Sequence, residues 1–67
     1  MNDSNEMFKR DGLYTLAEVA KTLRVSRITL SRAIGRRELR AFRVGNQWRL
    51  RGHDVNTYLQ ESAETSR

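Results

Sequence analysis

Arg27, Ser31 and Arg32 fall on one side of a short amphipathic stretch. Arg43, Asn46, Gln47 and Arg49 follow within a second stretch, where apolar and polar residues alternate. These are guanidinium, hydroxyl and amide groups. They suit the recognition of anions and of hydrogen-bonding edges: a guanidinium grips phosphate oxygens or bonds guanine bidentately, and Asn or Gln can read a base edge in a groove. Nothing in the chain supplies bond-making chemistry. There is no nucleophile–base constellation, metal cluster or phosphate loop. Glu18 and Asp54 fit helix caps better than a catalytic pair. The chain is therefore expected not to be an enzyme and to need no cofactor or metal.

Charge points the same way. Residues 24–51 hold nine arginines and one acidic residue, Glu38, for a net +8. The remaining residues hold four cations and seven carboxylates, a net −3. A solvated face normally mixes both signs. One sign gathered in the middle of the chain repels itself unless an anionic partner relieves it, and nucleic acid is the partner that fits.

With 67 residues and no cysteine, the chain reads as one small domain without disulfides or thiolate metal sites. His53 has no companion ligand. No apolar run approaches the ~18 residues of a membrane span, so no membrane partner is expected and the chain reads as soluble and intracellular.

The elements that must position the arginines follow from caps and periodicity. Residues 1–12 are polar and aperiodic and read as a disordered tail. Thr15 and Glu18 have the spacing of a capping box, with Tyr14 and Val19 as its hydrophobic staple. Leu16, Val19, Ala20 and Leu23 then make one apolar helix face. Arg24-Val25 is a turn and Ser26 an N-cap. Leu30, Ala33 and Ile34 continue as a second amphipathic helix, with Ile28 a weaker member of its stripe. Either Gly35 terminates that helix, or the helix runs through Gly35 and ends near Arg37. Two short helices with so brief a join have the pattern of a helix-turn-helix.

Residues 41–51 read as a hairpin around Gly45-Asn46-Gln47. A two-residue loop would mix apolar and basic faces. A three-residue loop pairs Val44 with Trp48, Arg43 with Arg49 and Phe42 with Leu50, keeping one face apolar, and is the expected form. It sets two arginines opposite each other, a repulsion that phosphate would relieve. Asp54 is expected to cap a last helix with Val55, Tyr58 and Leu59 as its stripe. Residues 62–67 are expected to fray. The domain proper is then 13–61, mostly α with a small β-hairpin.

Residues 13–59 resemble the small winged helix-turn-helix of phage and mobile-element excisionases, also called recombination directionality factors, which are related to the DNA-binding half of MerR-like regulators. The likeness rests on LYTLAEVAKTLRVSRITLSRAI (13–34), RRELRAFRVGNQWRL (36–50) and DVNTYL (54–59). Ser26, Arg27 and Thr29 match the family's start of the recognition helix. Arg43, Val44, Gly45, Trp48 and Arg49 match its wing, and Asp54 the opening of its last helix. Two positions depart: Arg37 stands where the family usually has Gly, and Arg40 where it commonly has Pro. The resemblance implies a sequence-specific architectural protein that binds and bends double-stranded DNA at attachment sites and directs an integrase toward excision. The alternative it implies is a small MerR-like transcriptional regulator at a promoter operator. The chain shows neither a long dimerisation helix nor a sensor domain after Leu59, which favours the first. The implied setting is the cytoplasm of a bacterial host cell, at the nucleoid. The free protein is expected to be a monomer that self-associates cooperatively on DNA.

Each candidate has a plainer reading. Arg27, Ser31 and Arg32 are expected to contact bases and phosphates, against a merely solvated helix face. Thr29 has equal claims as a phosphate ligand and as a backbone-bonded first-turn residue. Arg36, Arg37 and Arg40 could touch phosphate or simply complement a helix C-terminus. Asn46 and Gln47 are minor-groove candidates at the wing tip, and Arg43 and Arg49 phosphate or minor-groove candidates beside it. Trp48 is expected in the core.

Overall fold

The Glu18 amide donates to Thr15 Oγ1 (3.0 Å) and the Thr15 amide to Glu18 Oε1 (2.9 Å), completing the expected capping box. In this computed structural model, which describes residues 7–65, that box opens α1, Leu16–Leu23. Val19 and Ala20 are buried, with Leu16 and Leu23 packed beside them. The helix stops where Arg24 turns left-handed (φ 60), and the Arg24 and Val25 amides return to the Lys21 and Ala20 carbonyls. Ser26 then caps α2, Arg27–Gly35, accepting from the Thr29 amide at 3.0 Å. Leu30 and Ala33 are its buried residues, while Ile28 is 64% exposed and lies outside the stripe.

Gly35 does not act as the terminator of α2: it is the last helical residue, Arg36 is the C-cap, and the chain turns at Arg37, which takes the left-handed conformation (φ 66). The Arg37 amide bonds the Ile34 carbonyl and the Glu38 amide the Ala33 carbonyl. This is the Schellman pattern that usually has glycine at the left-handed position. The family's glycine at this position thus has a backbone reason, and Arg37 meets the same demand at some strain.

A three-stranded antiparallel sheet, ordered β1-β3-β2, packs against α1. Its strands are β1 (Leu13–Thr15), β2 (Phe42–Val44) and β3 (Gln47–Arg51). The hairpin corrects the expected three-residue loop. Val44 pairs with Gln47, Arg43 with Trp48 and Phe42 with Arg49, which leaves Gly45-Asn46 as a two-residue turn. Gly45 has φ 65, as the first central residue of a type II′ turn requires. The longer loop was expected to keep Phe42 and Val44 in the core. The third strand removes that need: β1 pairs Tyr14 with Leu50 on the core side. Strand β2 is an exposed edge, with Phe42 and Val44 on the outer face, where Leu13 on the opposite edge strand is also exposed. Arg43 and Arg49 do not oppose each other.

The core unites Phe8, Val19, Ala20, Leu30, Ala33, Leu39, Leu50 and Val55. Phe8 corrects the expected tail, since residues 8–12 form a strap across the start of α3, Gly52–Thr65. The Phe8 amide donates to Asn56 Oδ1 (3.2 Å), and Asn56 Nδ2 donates to the Phe8 carbonyl (2.8 Å). The Gly52 and His53 amides donate to the Gly12 and Arg10 carbonyls. Backbone of the strap therefore does the capping expected of Asp54, which sits within the first turn instead. A Cβ at Gly52 would collide with the Lys9 carbonyl. At the other end α3 continues past the expected fraying point at Ser62 to Thr65. Residues 1–6 and 66–67 of the two expected tails lie outside the described residues.

Candidate nucleic-acid interface

The cap at Ser26 fixes where α2 begins, and so where Arg27, its first residue, projects. Thr29 is held locally: its hydroxyl lies 2.9 Å from Ser26 Oγ, which also receives its amide. Ser31 and Arg32 are exposed farther along the helix. The tight turn at Gly45-Asn46 projects Asn46 and Gln47, both exposed.

These two elements border a common cleft. Arg27, Asn46, Gln47 and Trp48 line one cleft with Thr15, Leu16 and Ala17 at the start of α1, a space of about 430 Å³. Residues 19 positions apart, Arg27 and Asn46, thus face a common opening. Around it the arginines divide. Arg43 is exposed, and its guanidinium carbon lies 4.8 Å from the Trp48 ring centre. Arg49 is half-buried and donates to Gln47 Oε1 (2.9 Å) and the Trp48 carbonyl (3.3 Å), so it braces the wing tip. Arg36 is exposed at the C-cap of α2. Arg37 and Arg40 line a different groove with Glu38 and with His53, Asp54, Thr57, Tyr58 and Glu61 of α3. They are not brought to the cleft.

Eight of the nine arginines between residues 24 and 51 are exposed, so the charge concentration seen along the chain is carried onto the surface. Two participants were not evident from sequence. Trp48 was expected in the core, and its alternation with Leu50 does put it on the core-facing side of β3, but it is half-buried and outside the core cluster. Arg51 sits over the outer face, 5.4 Å from the Phe42 ring centre. Among the described residues no three His, Cys, Asp or Glu side chains are grouped to hold a metal, and no helix is long and apolar enough to cross a membrane.

Residues 13–63 match the family model of a helix-turn-helix domain. The chain belongs to the excisionase-type helix-turn-helix family. In this winged helix-turn-helix, α1 and α2 are the paired helices, residues 24–26 their turn, and the β2–β3 hairpin the wing. Two Mycobacterium tuberculosis proteins, from strains CDC 1551 / Oshkosh and ATCC 25618 / H37Rv, are each 42% identical to it over 50 residues. Both have names that describe them provisionally as DNA-binding proteins. The match covers 75% of this chain and 64% of each relative's length. No solved structure matches the chain significantly.

Proposed function

We propose that the protein binds double-stranded DNA, with α2 in the major groove and the wing tip at the adjacent minor groove. The supporting observation is the cleft that Arg27 of α2 shares with Asn46 and Gln47 of the wing. A helix fits the wide groove and a two-residue tip the narrow one. In this reading Arg27, Ser31 and Arg32 meet base edges and phosphates. Asn46 and Gln47 meet the minor-groove edge, and Arg43 a flanking phosphate. Arg49 holds Gln47 in place. Thr29 organises the first turn, and Arg36, Arg37 and Arg40 add flanking charge.

The finer role is that of an excisionase, a recombination directionality factor. Copies occupy several adjacent sites beside an attachment core, bend the DNA, and direct an integrase toward excision. Bending a site of 20–30 bp costs roughly 1–6 kcal/mol, offset by phosphate contacts and by cooperative contact between neighbouring copies. Family membership and the exposed arginines support this role. Footprinting across an attachment region tests it. Several adjacent protected sites are expected. A single protected promoter operator would assign the protein to small MerR-like transcriptional regulators instead.

A further inference from the structure

Trp48 is the one tryptophan of the chain. It shares the core-facing side of β3 with Leu50, yet Leu50 is fully buried and Trp48 only half-buried. The core closes around Leu50 without it. The Arg43 guanidinium lies over the indole ring, and Trp48 also lines the cleft bordered by α2 and the wing, to which Arg43 does not contribute. The cleft's lining has two characters. Leu16, Ala17 and Trp48 are apolar, whereas Arg27, Asn46 and Gln47 offer hydrogen bonds and charge.

We propose that Trp48 is a DNA-contact residue, the apolar wall of a slot that takes one deoxyribose-phosphate unit. The proposal rests on the DNA-binding reading above. A strand that passes between a helix in one groove and a wing in the next turns its backbone, not its bases, toward the space between them. A deoxyribose presents C–H groups and its phosphate presents charge, which matches the two characters of the lining. A stacked base fits less well, because it would first have to leave the duplex stack. Arg27, in the same lining, is the cation that meets the phosphate, and Arg43 over the ring holds the indole in place. The indole also has an N–H donor, which can serve a backbone oxygen.

The single tryptophan makes the test direct. A random-sequence duplex of about two helical turns is added at low salt. Binding is followed by the anisotropy of labelled duplex. In parallel, acrylamide quenching of Trp48 fluorescence is measured with unlabelled duplex. Trp48 should lose most of its quenching slope as the duplex saturates. Trp48→Phe, which keeps a ring on the sheet but shortens the wall, should bind about tenfold more weakly while retaining its circular dichroism. Binding by anisotropy with Trp48 as quenchable as in the free protein would overturn the slot and leave the DNA-binding reading standing. Absence of binding to any duplex would overturn both. Should Trp48→Phe lose its fold, the quenching measurement on the unaltered protein still decides.

Discussion

Arg43 and Trp48 face each other directly across the hairpin, with the guanidinium carbon 4.8 Å from the ring centre. On the opposite side of the same sheet, Arg51 lies 5.4 Å from the centre of the Phe42 ring. Two of the wing's arginines thus rest on aromatic faces and not against another cation. An exposed cation–π contact of this kind contributes about 0.5–1 kcal/mol.

Arg43→Ala should therefore lower stability by about 0.5–1 kcal/mol, read from the urea midpoint at constant m. It should also shift the emission of Trp48, whose ring it uncovers. An unchanged midpoint and an unchanged spectrum would show that the pair does not form in solution.

Arg24 and Arg37 both end a helix in the left-handed conformation, φ 60 and φ 66. A side chain there is strained against its own carbonyl, and glycine removes the strain at some entropic cost. Arg24→Gly and Arg37→Gly should each raise stability by about 0.5–1 kcal/mol, or several degrees in Tm for a domain of this size. A fall in Tm for either would mean that the arginine side chain makes a compensating contact.

Asn56 holds the N-terminal strap by exchanging two hydrogen bonds with the Phe8 backbone. Asn56→Ala should cost about 1–3 kcal/mol and speed hydrogen exchange at the Phe8 amide. Gly52→Ala should be more damaging, since its new methyl meets the Lys9 carbonyl. Exchange at Phe8 that Asn56→Ala leaves unaltered would argue against the strap as described.

The helices were legible in the sequence because their signals are local. A capping box, an N-cap serine and apolar residues at helical spacing each lie within one or two turns. The hairpin's position was legible for the same reason, but its register was not. The register depends on β1, a three-residue strand whose Tyr14, 36 positions before its partner Leu50, supplies the apolar neighbour that Phe42 was expected to provide. The strap escaped notice for a related reason. Phe8 is one apolar residue in a polar stretch, and its partner Asn56 lies 48 positions on. At the candidate site, residue types alone marked Arg27, Asn46 and Gln47. They could not separate Arg37 and Arg40, which turn toward α3, from the arginines near the cleft. Nor could strand alternation distinguish a tryptophan inside the core from one at its rim.

The arginines of the reading helix and the wing should separate by behaviour. Arg27→Ala should cost about 1–3 kcal/mol on preferred DNA and relax discrimination against other sequences. Arg49→Ala should weaken preferred and random duplex alike, through release of Gln47. Competition gel shifts with both kinds of duplex measure this. Full discrimination retained by Arg27→Ala would remove α2 from the role of reader.

A titration of ¹⁵N-labelled protein with duplex DNA at low salt, following backbone amide shifts, shows directly whether α2 and the wing tip engage DNA together. The largest changes are expected at Arg27–Arg32 and Asn46–Trp48, the two segments that flank the cleft. The apparent affinity should fall with salt at a log–log slope of roughly −5, for about six neutralised phosphates. Changes confined to Arg37, Arg40 and the face of α3, with the cleft residues unmoved, would contradict that joint engagement.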